Sequence, residues 1–481
     1  MIDLFNSISS IYVVNILMAI IIIFLERKDP TATLAWVLVL FIFPGVGFVL
    51  YLLLSQNFSR KQLFIMKIYA KKSFGDYLRI QKELFNSGGL VFNDKNIEGY
   101  KDLIKMNLFY HNFSYTQNNE ITIYTDGERK FDDLFKSIEE AKNHIHMEYY
   151  IIRNDNLGNK LLNVLSKKAE EGIEVRLLYD SVGGRQITKE QIEKLKSSGV
   201  KVSIFFSSKI AFFNFKINYR NHRKIVVIDG VVGFVGGFNV GDEYIGLNRE
   251  IGYWRDTHIR LKGDAVIDLQ TRFFLDWGHA SKEDLMFLPK YFPDNRITGN
   301  VGIQIITSGP DKSDEAIKSN YVKMINSAKK SILIQTPYFV PDASVFEAIK
   351  IAATSGVDVR IMIPCKPDHP FIYWATYWYC GGLLKYGVKV YTYEYGFLHA
   401  KTLVVDGAVS SVGTANFDVR SFKLNFECNA IIYDTNTSQM LHDIFMEDLN
   451  YSVELTRELY LERGIVIRFK ESVCRLLAPL L

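Results

Sequence analysis

Two short stretches of the chain carry the same reactive side chains at the same spacing. In each, a lysine follows a histidine by two residues, an aspartate follows that lysine by five, and an asparagine follows the aspartate by ten, shortly after a glycine. The side chains are His222, Lys224, Asp229 and Asn239 in the first copy and His399, Lys401, Asp406 and Asn416 in the second. A single His-x-Lys pair usually lies on the surface and has no function. Two copies of the motif with the same spacing indicate one site to which both copies contribute.

The spacing predicts which of these side chains share a pocket. Residues i and i+2 of a β-strand face the same side, so the histidine and lysine of each copy are predicted to project together from one strand. Asp229 lies seven residues after His222, on the opposite face of a regular strand, and the second copy repeats this relation. We group both aspartates with the catalytic motif but expect a structural role at the strand end. The glycine-rich turns before Asn239 and Asn416 are suited to bring N–H groups and an amide against a bound anion.

Together the two copies provide two imidazoles, two ammonium groups and two amides. The ammonium groups and amides suit a phosphodiester, whose charge is spread over its oxygens in the transition state. The imidazoles suit a double displacement. One attacks phosphorus and forms a phosphohistidine, while the other protonates the leaving alkoxide and then deprotonates the incoming alcohol. The motifs therefore predict an enzyme that breaks and remakes phosphodiester bonds.

The motifs lie in a chain that alternates β-rich apolar runs with helical patterns and then repeats this alternation. Matching segments recur in the same order, offset by roughly 180 residues. They begin at Ala141 and Ala328, at Gly172 and Gly356, and at Gly199 and Gly387. The sequence thus predicts an α/β fold class, with two duplicated domains over residues 115–297 and 298–450 that pair about a pseudo-two-fold axis.

These motifs resemble those of the phospholipase D superfamily. Both copies match its HxKxxxxD pattern and its GGxN- or GTxN-type turn, without departure at His, Lys, Asp or Asn. Within the superfamily the chain resembles bacterial cardiolipin synthases, over essentially its whole length. The segments that carry this resemblance are the N-terminal apolar pair with its polar break ERKDPTAT, residues 236–244, 254–258 and 416–421, and the closing RLLAPLL.

The resemblance implies an activity and its partners. Two phosphatidylglycerol molecules would become cardiolipin and glycerol through a phosphohistidine, so the chain would be a phosphatidyltransferase that works on anionic membrane lipids. The resemblance implies no cofactor, no nucleotide-activated donor and no metal, and the sequence has no metal-ligand constellation. It also implies that the two duplicated domains are phospholipase D-like.

Four further polar residues are candidates to support the histidines. Asp256 and Glu427 occupy similar positions after the two motifs, and a carboxylate against the far imidazole nitrogen fixes its tautomer. The resemblance implies that each acid reaches the histidine of the other half, whereas an ordinary surface position is the alternative. Glu148 and Gln335, at matching positions of the repeat, are also candidates, with a polar strand end as the alternative.

The roles of the two histidines are not fixed by their equivalent motifs. The resemblance favours His222 as the nucleophile and His399 as the general acid and base. Arg223 would help to keep His222 unprotonated if it faced the pocket, although an i+1 side chain on a regular strand points away.

Composition narrows the classes of function. The 481-residue chain is 48% apolar and has a formal net charge of +4, so it lacks the dominant basic face of a dedicated nucleic-acid binder. Its four cysteines form no CxxC pair and have no zinc-ligand spacing with a histidine. We expect reduced thiols in a cytoplasm-facing domain, and the sequence indicates no particular oligomeric state.

The N-terminus is apolar enough to predict a membrane anchor. Ile8 to Leu25 and Ala35 to Leu54 each approach the roughly 20 apolar residues that a transmembrane helix requires, with Pro30 in the polar break between them. We therefore predict a transmembrane hairpin of two helices within residues 1–57 and a basic juxtamembrane linker over residues 58–114. The basic residues favour a multi-pass protein of the cell membrane with its catalytic domain in the cytoplasm. A cleaved signal peptide, the alternative, lacks both a positive n-region and a cleavage site here.

The C-terminal segment, residues 451–481, has the pattern of one amphipathic helix. Ile465, Phe469, Val473 and Leu476 fall on one helical face, with charged residues on another. Such a helix could lie in the membrane interface or pack against the domain, and the sequence does not separate these alternatives.

Other functions are compatible with parts of the pattern. A phospholipase D-type hydrolase of phospholipids would use the same pocket with water in place of the alcohol. A nuclease would share the chemistry, but the apolar N-terminus and the near-neutral charge disfavour a nucleic-acid partner. A membrane scaffold with an inactive site would not need His, Lys and Asn intact in both copies.

Overall fold

The computed structural model describes residues 2–25, 30–54, 71–206, 219–283, 285, 288–293, 299–312 and 314–477. The chain divides into two compact units, a small one built on residues 1–67 and a large one built on residues 68–207 and 221–479.

The small unit is helical. Its helices are α1 (Ile2–Leu25), α2 (Pro30–Ile42) and α3 (Val46–Leu54). They share a small core of Ala19, Ile22, Trp36, Leu40 and Tyr51. Much of the remaining apolar surface is exposed; Leu17, Phe24, Leu34, Leu38 and Phe41 are each at least half exposed.

The second predicted span is divided into two helices. Pro44 has no N–H to donate and Gly45 adopts a φ of +76°, so α2 ends at Ile42 and α3 begins at Val46. Among the residues that the structure describes, no helix combines the length and the apolarity needed to cross a membrane. The prediction of two transmembrane helices is therefore not confirmed.

The predicted linker over residues 58–114 is largely folded where it is described. It contains α4 (Lys71–Asn86), a 3₁₀ turn (Lys95–Tyr100), α5 (Lys101–Met106) and a π-helical turn (Asn107–His111). Ile97, Leu103 and Ile104 are fully buried in the core of the second half of the large unit. The prediction of a linker was wrong for this part, because its apolar residues are spaced to fill a core. The basic residues Arg60, Lys61 and Lys67 lie outside the described residues.

The first half of the large unit contains a seven-stranded sheet in the order β1-β9-β7-β6-β2-β3-β4. β2, β3 and β4 are parallel and the other pairs are antiparallel. The seven strands of this sheet are β1 (Asn119–Tyr124), β2 (His144–Tyr149), β3 (Glu174–Asp180), β4 (Lys201–Phe205), β6 (Ile225–Ile228), β7 (Val232–Gly236) and β9 (His258–Gly263). Two short strands lie outside it, β5 (Arg220–Asn221) and β8 (Trp254–Arg255). The helices are α6 (Gly127–Glu139), α7 (Asn156–Glu170), α8 (Lys189–Ser197) and α9 (Ala265–Ser281).

The second half repeats this sheet. Its strands follow the order β10-β19-β17-β16-β11-β13-β14, and β20 adds to the edge beside β14. They are β10 (Gly302–Ser308), β11 (Ser331–Gln335), β13 (Asp358–Pro364), β14 (Lys389–Tyr393), β16 (Thr402–Val405), β17 (Val409–Gly413), β19 (Asn425–Tyr433) and β20 (Ser452–Glu454). Three short strands lie outside this sheet: β12 (Phe339–Val340) pairs with β18 (Phe417–Asp418), and β15 (Phe397–Leu398) pairs with β8. The helices are α10 (Ala316–Ser327), α11 (Ala343–Thr354), α12 (Pro370–Leu384), α13 (Val419–Lys423) and α14 (Thr435–Asp448).

The two sheets correspond strand for strand, so the predicted duplication is confirmed. Local sequence supports the equivalent helices α7 and α11, since each follows an aspartate whose carboxylate accepts a hydrogen bond from a first-turn amide. α6 and α14 begin in the same way. β2, β6 and β16 are buried along their whole length, as apolar strands covered on both faces must be.

One hydrophobic core joins the halves. It contains Ile225, Val227 and Val235 from the first sheet and Val404 and Val412 from the second, together with residues of α9 and α14. Because the motif strands β6 and β16 both contribute to this shared core, their ends are held at a fixed separation.

The C-terminal segment is not one helix. β20 pairs with the edge of the second sheet, and two helices follow, α15 (Arg457–Glu462) and α16 (Ile465–Leu477). The break falls at Arg463 and Gly464, where Arg463 is already extended with a ψ of 136°. The prediction of a single helix was therefore wrong in its continuity.

Candidate active site

Each His-x-Lys segment lies immediately before its strand. Residues 222–224 precede β6, and residues 399–401 precede β16. Both segments are held by the opposite half: the His222 N–H donates to Phe426 O over 3.0 Å, and the His399 N–H donates to Arg255 O over 2.7 Å. Parallel pairing of β15 with β8 supports the second of these crossings. The segments were predicted within the strands, but the alternation of their side chains is kept.

Arg223 faces away from the pocket. Its Nη1 donates to both carboxylate oxygens of Asp276 at 2.7 and 2.8 Å, and its Nε donates to Glu427 O over 3.1 Å. It is 1% exposed. The proposed help from Arg223 to His222 therefore does not arise, and its contribution is to fix the backbone at Glu427.

His222 is paired with a carboxylate of the second half. Its Nδ1 lies 3.0 Å from Glu427 Oε2, which also accepts the hydroxyl hydrogen of Thr414. Glu427 is fully buried, and although burial opposes its ionisation, the charges of His222 and Lys224 hold its pKa below the usual value. A carboxylate that accepts from Nδ1 leaves the Nε2 lone pair of His222 free for the pocket.

His399 is paired in the same way with the first half. Its Nδ1 lies 2.6 Å from Asp256 Oδ2, and the Thr257 N–H donates to Asp256 Oδ1 over 2.7 Å. Burial opposes ionisation of Asp256, but His399 and Lys401 hold its pKa below the usual value. Lys401 Nζ donates to the backbone oxygen of His399, so both members of the second motif are fixed locally. The acids lie in the crossed arrangement that the resemblance implies.

Asp256 and Glu427 are accommodated by different turns. A Cβ atom on Gly237 would lie 1.9 Å from Asp256 Oδ1, so only glycine leaves room for that carboxylate. At the equivalent position Thr414 instead donates its hydroxyl to Glu427. The GG and GT forms of the two turns therefore reflect how each acid is held.

The two lysines share one buried pocket. Burial lowers the pKa of Lys224 to about 7, and although the charge of Glu427 opposes this, that of Lys401 adds to it. Burial likewise lowers the pKa of Lys401 to about 8, against the charges of Asp256 and Glu427. Two close ammonium groups without a bound anion repel each other, so the pocket is suited to an anionic ligand.

Burial disfavours protonation of both imidazoles. Burial lowers the pKa of His222, and the lysines of both halves add to this while Glu427 opposes it. For His399, burial and then the Lys401 ammonium lower the pKa to about 3, with Asp256 opposing. Since each histidine is influenced by the lysine of the other half, the two motifs form one site.

The two asparagines are held differently. Asn239 Oδ1 accepts from the Ile151 N–H over 3.2 Å, and its Nδ2 donates to Tyr244 Oη over 3.4 Å. Asn416 Nδ2 donates to Asp418 Oδ2 over 3.2 Å, while its buried Oδ1 has no hydrogen-bond partner among the described residues. Both amides are buried and oriented by neighbours rather than by solvent.

Asp229 and Asp406 lie at the far ends of the motif strands. Both have a φ of +55°, and each carboxylate accepts three consecutive backbone N–H groups at 2.7–2.9 Å. The donors are residues 142–144 for Asp229 and residues 329–331 for Asp406. Their grouping with the catalytic residues is thus corrected, because they tie the motif strand to the start of its neighbour.

We expect Asp229→Ala to lower the free energy of unfolding by about 1–3 kcal/mol, because three backbone amides lose a charged acceptor and the His144 N–H among them is part-buried. Asp229→Asn should cost less, since asparagine keeps one acceptor oxygen and tolerates positive φ. Denaturant unfolding of the purified variants measures both. An Asp229→Ala variant that is as stable as the wild type yet inactive would instead place this carboxylate in the reaction.

Glu148 and Gln335, the other two candidates to support the histidines, have different surroundings. Glu148 is buried and accepts from Asn221 Nδ2, next to His222, and burial together with the charge of Asp276 raises its pKa to about 8. Gln335 instead donates a hydrogen bond to the Asp448 carboxylate and accepts one from the Thr402 hydroxyl. Glu148 therefore supports the segment that carries the first motif, whereas Gln335 has no contact with either histidine in the described structure.

Two aromatic rings flank the histidines and were not anticipated. The Tyr150 ring centroid lies 4.9 Å from that of His222, and the Trp254 ring lies 5.0 Å from His399. Tyr150 follows β2 directly, and Trp254 lies in the same short segment as Asp256, so proximity to the motif residues was the available signal. Within the part of the chain that the structure describes, no group of three or more His, Cys, Asp or Glu could hold a metal ion.

Two known protein families match this chain, one over both halves of the large unit and one over the N-terminus. The family described as "Cardiolipin synthase, PLD-like domain" matches residues 134–274 and 321–449. The family described as "Phospholipase_D-nuclease N-terminal" matches residues 13–56. Among solved structures, phosphatidylserine synthase of Haemophilus influenzae aligns with a TM-score of 0.59 at 15% identity, covering 80% of this chain and 96% of that one. That likeness establishes the shared fold.

Curated relatives are similar over their full length. Cardiolipin synthase of Oceanobacillus iheyensis is 51% identical over 470 residues, covering 98% of each chain. The major cardiolipin synthase ClsA of Bacillus subtilis is 53% identical over 481 residues, covering 99% of this chain and all of that protein. Identity of this extent, joined to a family match in each half, means that the chain belongs to the cardiolipin synthase family of the phospholipase D superfamily.

Proposed function

We propose that the protein transfers the phosphatidyl group of one phosphatidylglycerol to the free glycerol hydroxyl of another, giving cardiolipin and glycerol. The observation that carries this proposal is the crossed pairing of His222 with Glu427 and of His399 with Asp256 around two buried lysines. Such a pocket offers a nucleophile, a proton carrier and charge for one phosphodiester.

The lysines bind the phosphodiester. In a buried pocket the ammonium groups of Lys224 and Lys401 interact with the phosphate more strongly than they would in water. The anion also relieves the repulsion between the two ammonium groups, so its binding stabilises their protonated forms.

In the first step His222 Nε2 attacks phosphorus and forms a P–N bond. The P–O bond to the glycerol head group breaks, and His399 donates a proton to the departing oxygen, so that neutral glycerol leaves. Glu427 stabilises the positive charge that develops on His222.

In the second step a glycerol hydroxyl of another phosphatidylglycerol attacks the same phosphorus. His399, now neutral, takes the proton of that hydroxyl, the new P–O bond forms and the P–N bond breaks. His222 returns to its starting state and cardiolipin is released. With water in place of this hydroxyl the product would be phosphatidic acid.

The electrostatics of the site support these roles. Burial lowers the pKa of His222, and the charge of Glu427 limits this decrease. His222 therefore keeps more of its basicity, and a more basic imidazole is the better nucleophile as long as it is unprotonated. Burial and then the Lys401 ammonium lower the pKa of His399 to about 3. Entry of the phosphodiester offsets that ammonium, which raises the pKa of His399 and allows it to carry the proton.

Purified protein mixed with phosphatidylglycerol vesicles provides the test of function. We expect cardiolipin and glycerol in equal amounts, identified by mass spectrometry and an enzymatic glycerol assay. Phosphatidic acid as the main lipid product would favour the hydrolase alternative, and unchanged phosphatidylglycerol would reject both.

The pH dependence follows from the two lysines. With pKa values of about 7 for Lys224 and about 8 for Lys401 in the free enzyme, kcat/KM should fall as pH rises through this range, because each loses its positive charge. Lys224→Arg cannot lose its charge in this range, so its alkaline decline should move up by at least about one pH unit even if its maximum is lower. If kcat/KM of this variant fell over the same pH range as that of the wild type, deprotonation of Lys224 would not be the cause of the fall.

We propose further that the N-terminal unit anchors the protein as a two-helix hairpin in the cell membrane, with the α/β unit in the cytoplasm. The exposed apolar side chains of α1 to α3 support this placement. Extraction should require detergent, and protease added outside intact cells should leave the α/β unit whole. Ready digestion of that unit from outside would contradict the orientation.

A further inference from the structure

The C-terminal helix α16 presents a surface that the reaction does not use. Its inner side packs against α12, where Cys474 joins a cluster with Val340 and Ala375. On its outer side the residues are apolar, and the most exposed are Ile465 at 84% and Phe469 at 70%. We define the C-terminal face as Ile465, Val466, Phe469, Val473 and Leu476.

Within α16 itself the exposed charges are all positive, whereas the nearest exposed acid, Glu462, ends the preceding helix α15. The acid of α16, Glu471, is fully buried and accepts from Arg463 Nε over 2.8 Å. The cations remain at the surface: Lys470 Nζ lies 5.5 Å from the Trp374 ring centroid, and the Arg475 guanidinium lies 4.5 Å from that of Trp378. An apolar face bordered by cations that lie over aromatic rings is complementary to an anionic bilayer.

The helix beneath this face connects it with the active site. α12 carries half-buried aromatic residues, a type enriched at membrane interfaces, and Phe371 at its start is 52% exposed. Asp368, just before α12, accepts from the Tyr338 hydroxyl. Tyr338 directly precedes β12, and β12 pairs with β18, which begins directly after Asn416 of the second motif. The start of α12 therefore lies beside the pocket, and its other residues support α16.

We propose that the C-terminal face docks on an anionic lipid bilayer and seats the α/β unit with the start of α12, and hence the pocket, at the lipid surface. This contact is separate from the N-terminal anchor. It rests on the proposed function only in that a membrane lipid must reach the pocket.

The first test measures where the face lies, without requiring turnover. Full-length protein carrying Cys365→Ser and Phe469→Cys is labelled with bimane and reconstituted in vesicles of phosphatidylglycerol and phosphatidylcholine that contain a nitroxide lipid. The matched control carries Ile351→Cys, a 55% exposed position on α11. We expect at least about twofold quenching at position 469 and little at position 351, because an interfacial helix buries its apolar face among the lipids.

Equal quenching at the two positions, or quenching at neither, would overturn the proposal. Protection of position 469 from both the nitroxide lipid and aqueous iodide would also overturn it, because another segment or a second copy would then cover the face.

The second test separates docking from chemistry. Ile465→Glu with Phe469→Glu should lower activity on vesicular phosphatidylglycerol by at least about tenfold, because two interfacial anchors become anions. Activity on short-chain phosphatidylglycerol below its micelle concentration should change less than about twofold, as should both activities of Ile351→Glu. Undiminished activity on vesicles, or an equal loss on both substrates, would contradict docking, whereas wild-type inactivity on both would contradict the proposed function instead.

Discussion

Replacing His222 or His399 by alanine is expected to lower cardiolipin formation by at least about 10⁴-fold, because the nucleophile and the proton carrier act as one unit. For the same reason the double variant should be no more than about threefold slower than either single variant. Initial rates on phosphatidylglycerol vesicles measure all three. The variants should remain folded, because removing a side chain at the pocket leaves the shared core intact.

His442→Ala provides the matched control, because His442 is partly exposed on α14 and, among the described residues, is paired with Asp443 and Gln439 of its own helix. Its rate should equal that of the wild type. If either pocket variant kept a tenth or more of the activity, or if the losses multiplied in the double variant, the two histidines would not work in one reaction.

Glu427→Gln and Asp256→Asn are each expected to lower kcat by about 10²–10⁴-fold with little change in KM. The amides preserve size, but they remove the charge that stabilises the imidazolium formed during the reaction, and the new NH₂ group can impose the wrong tautomer. Loss of Glu427 should also lower the pKa of His222 further, since its charge is what opposes burial there.

Asp268→Asn is a suitable control for these two variants. Its carboxyl group is partly buried, accepts from Ser114 over 2.7 Å, and has a pKa that burial raises to about 7. An amide there should leave kcat within about twofold, because the carboxyl group is bonded to Ser114 and not to either histidine. If Glu427→Gln and Asp256→Asn also stayed within tenfold of the wild type, the crossed acids would serve the fold alone.

The parts of the site that could be predicted from sequence are those set by periodicity and duplication. Because side chains alternate between the two faces of a strand, Lys224 was predicted to face the pocket and Arg223 to point away from it. The same alternation predicted a structural role at the strand end for Asp229. The repeat identified the second copy and so required a site made by both halves. Which acid meets which histidine depends on pairing of β15 with β8, a contact between distant segments that no local pattern encodes.

The elements whose bounds differ from the prediction share a physical cause. Mean apolarity predicted one continuous helix over Ala35 to Leu54, but the structure has two, because Pro44 and Gly45 interrupt the backbone hydrogen bonds of a continuous helix. Residues 95–111 were predicted to be a linker because they precede both repeats. Their apolar side chains instead complete the core of the second half, which begins much later in the chain. Sequence patterns report local periodicity, whereas these outcomes depend on tertiary packing and single backbone positions.

Label on a histidine during turnover decides whether the transfer proceeds in two steps. Wild-type protein is exposed to phosphatidylglycerol with radioactive phosphorus, denatured rapidly during turnover and analysed by peptide mapping. His222→Ala, treated in the same way, is the control that lacks the proposed nucleophile. We predict label on the peptide that contains His222 in the wild type and no label on either peptide of His222→Ala. Label on the His399 peptide of the wild type would reverse the roles, and turnover without label on either peptide would contradict the two-step transfer itself.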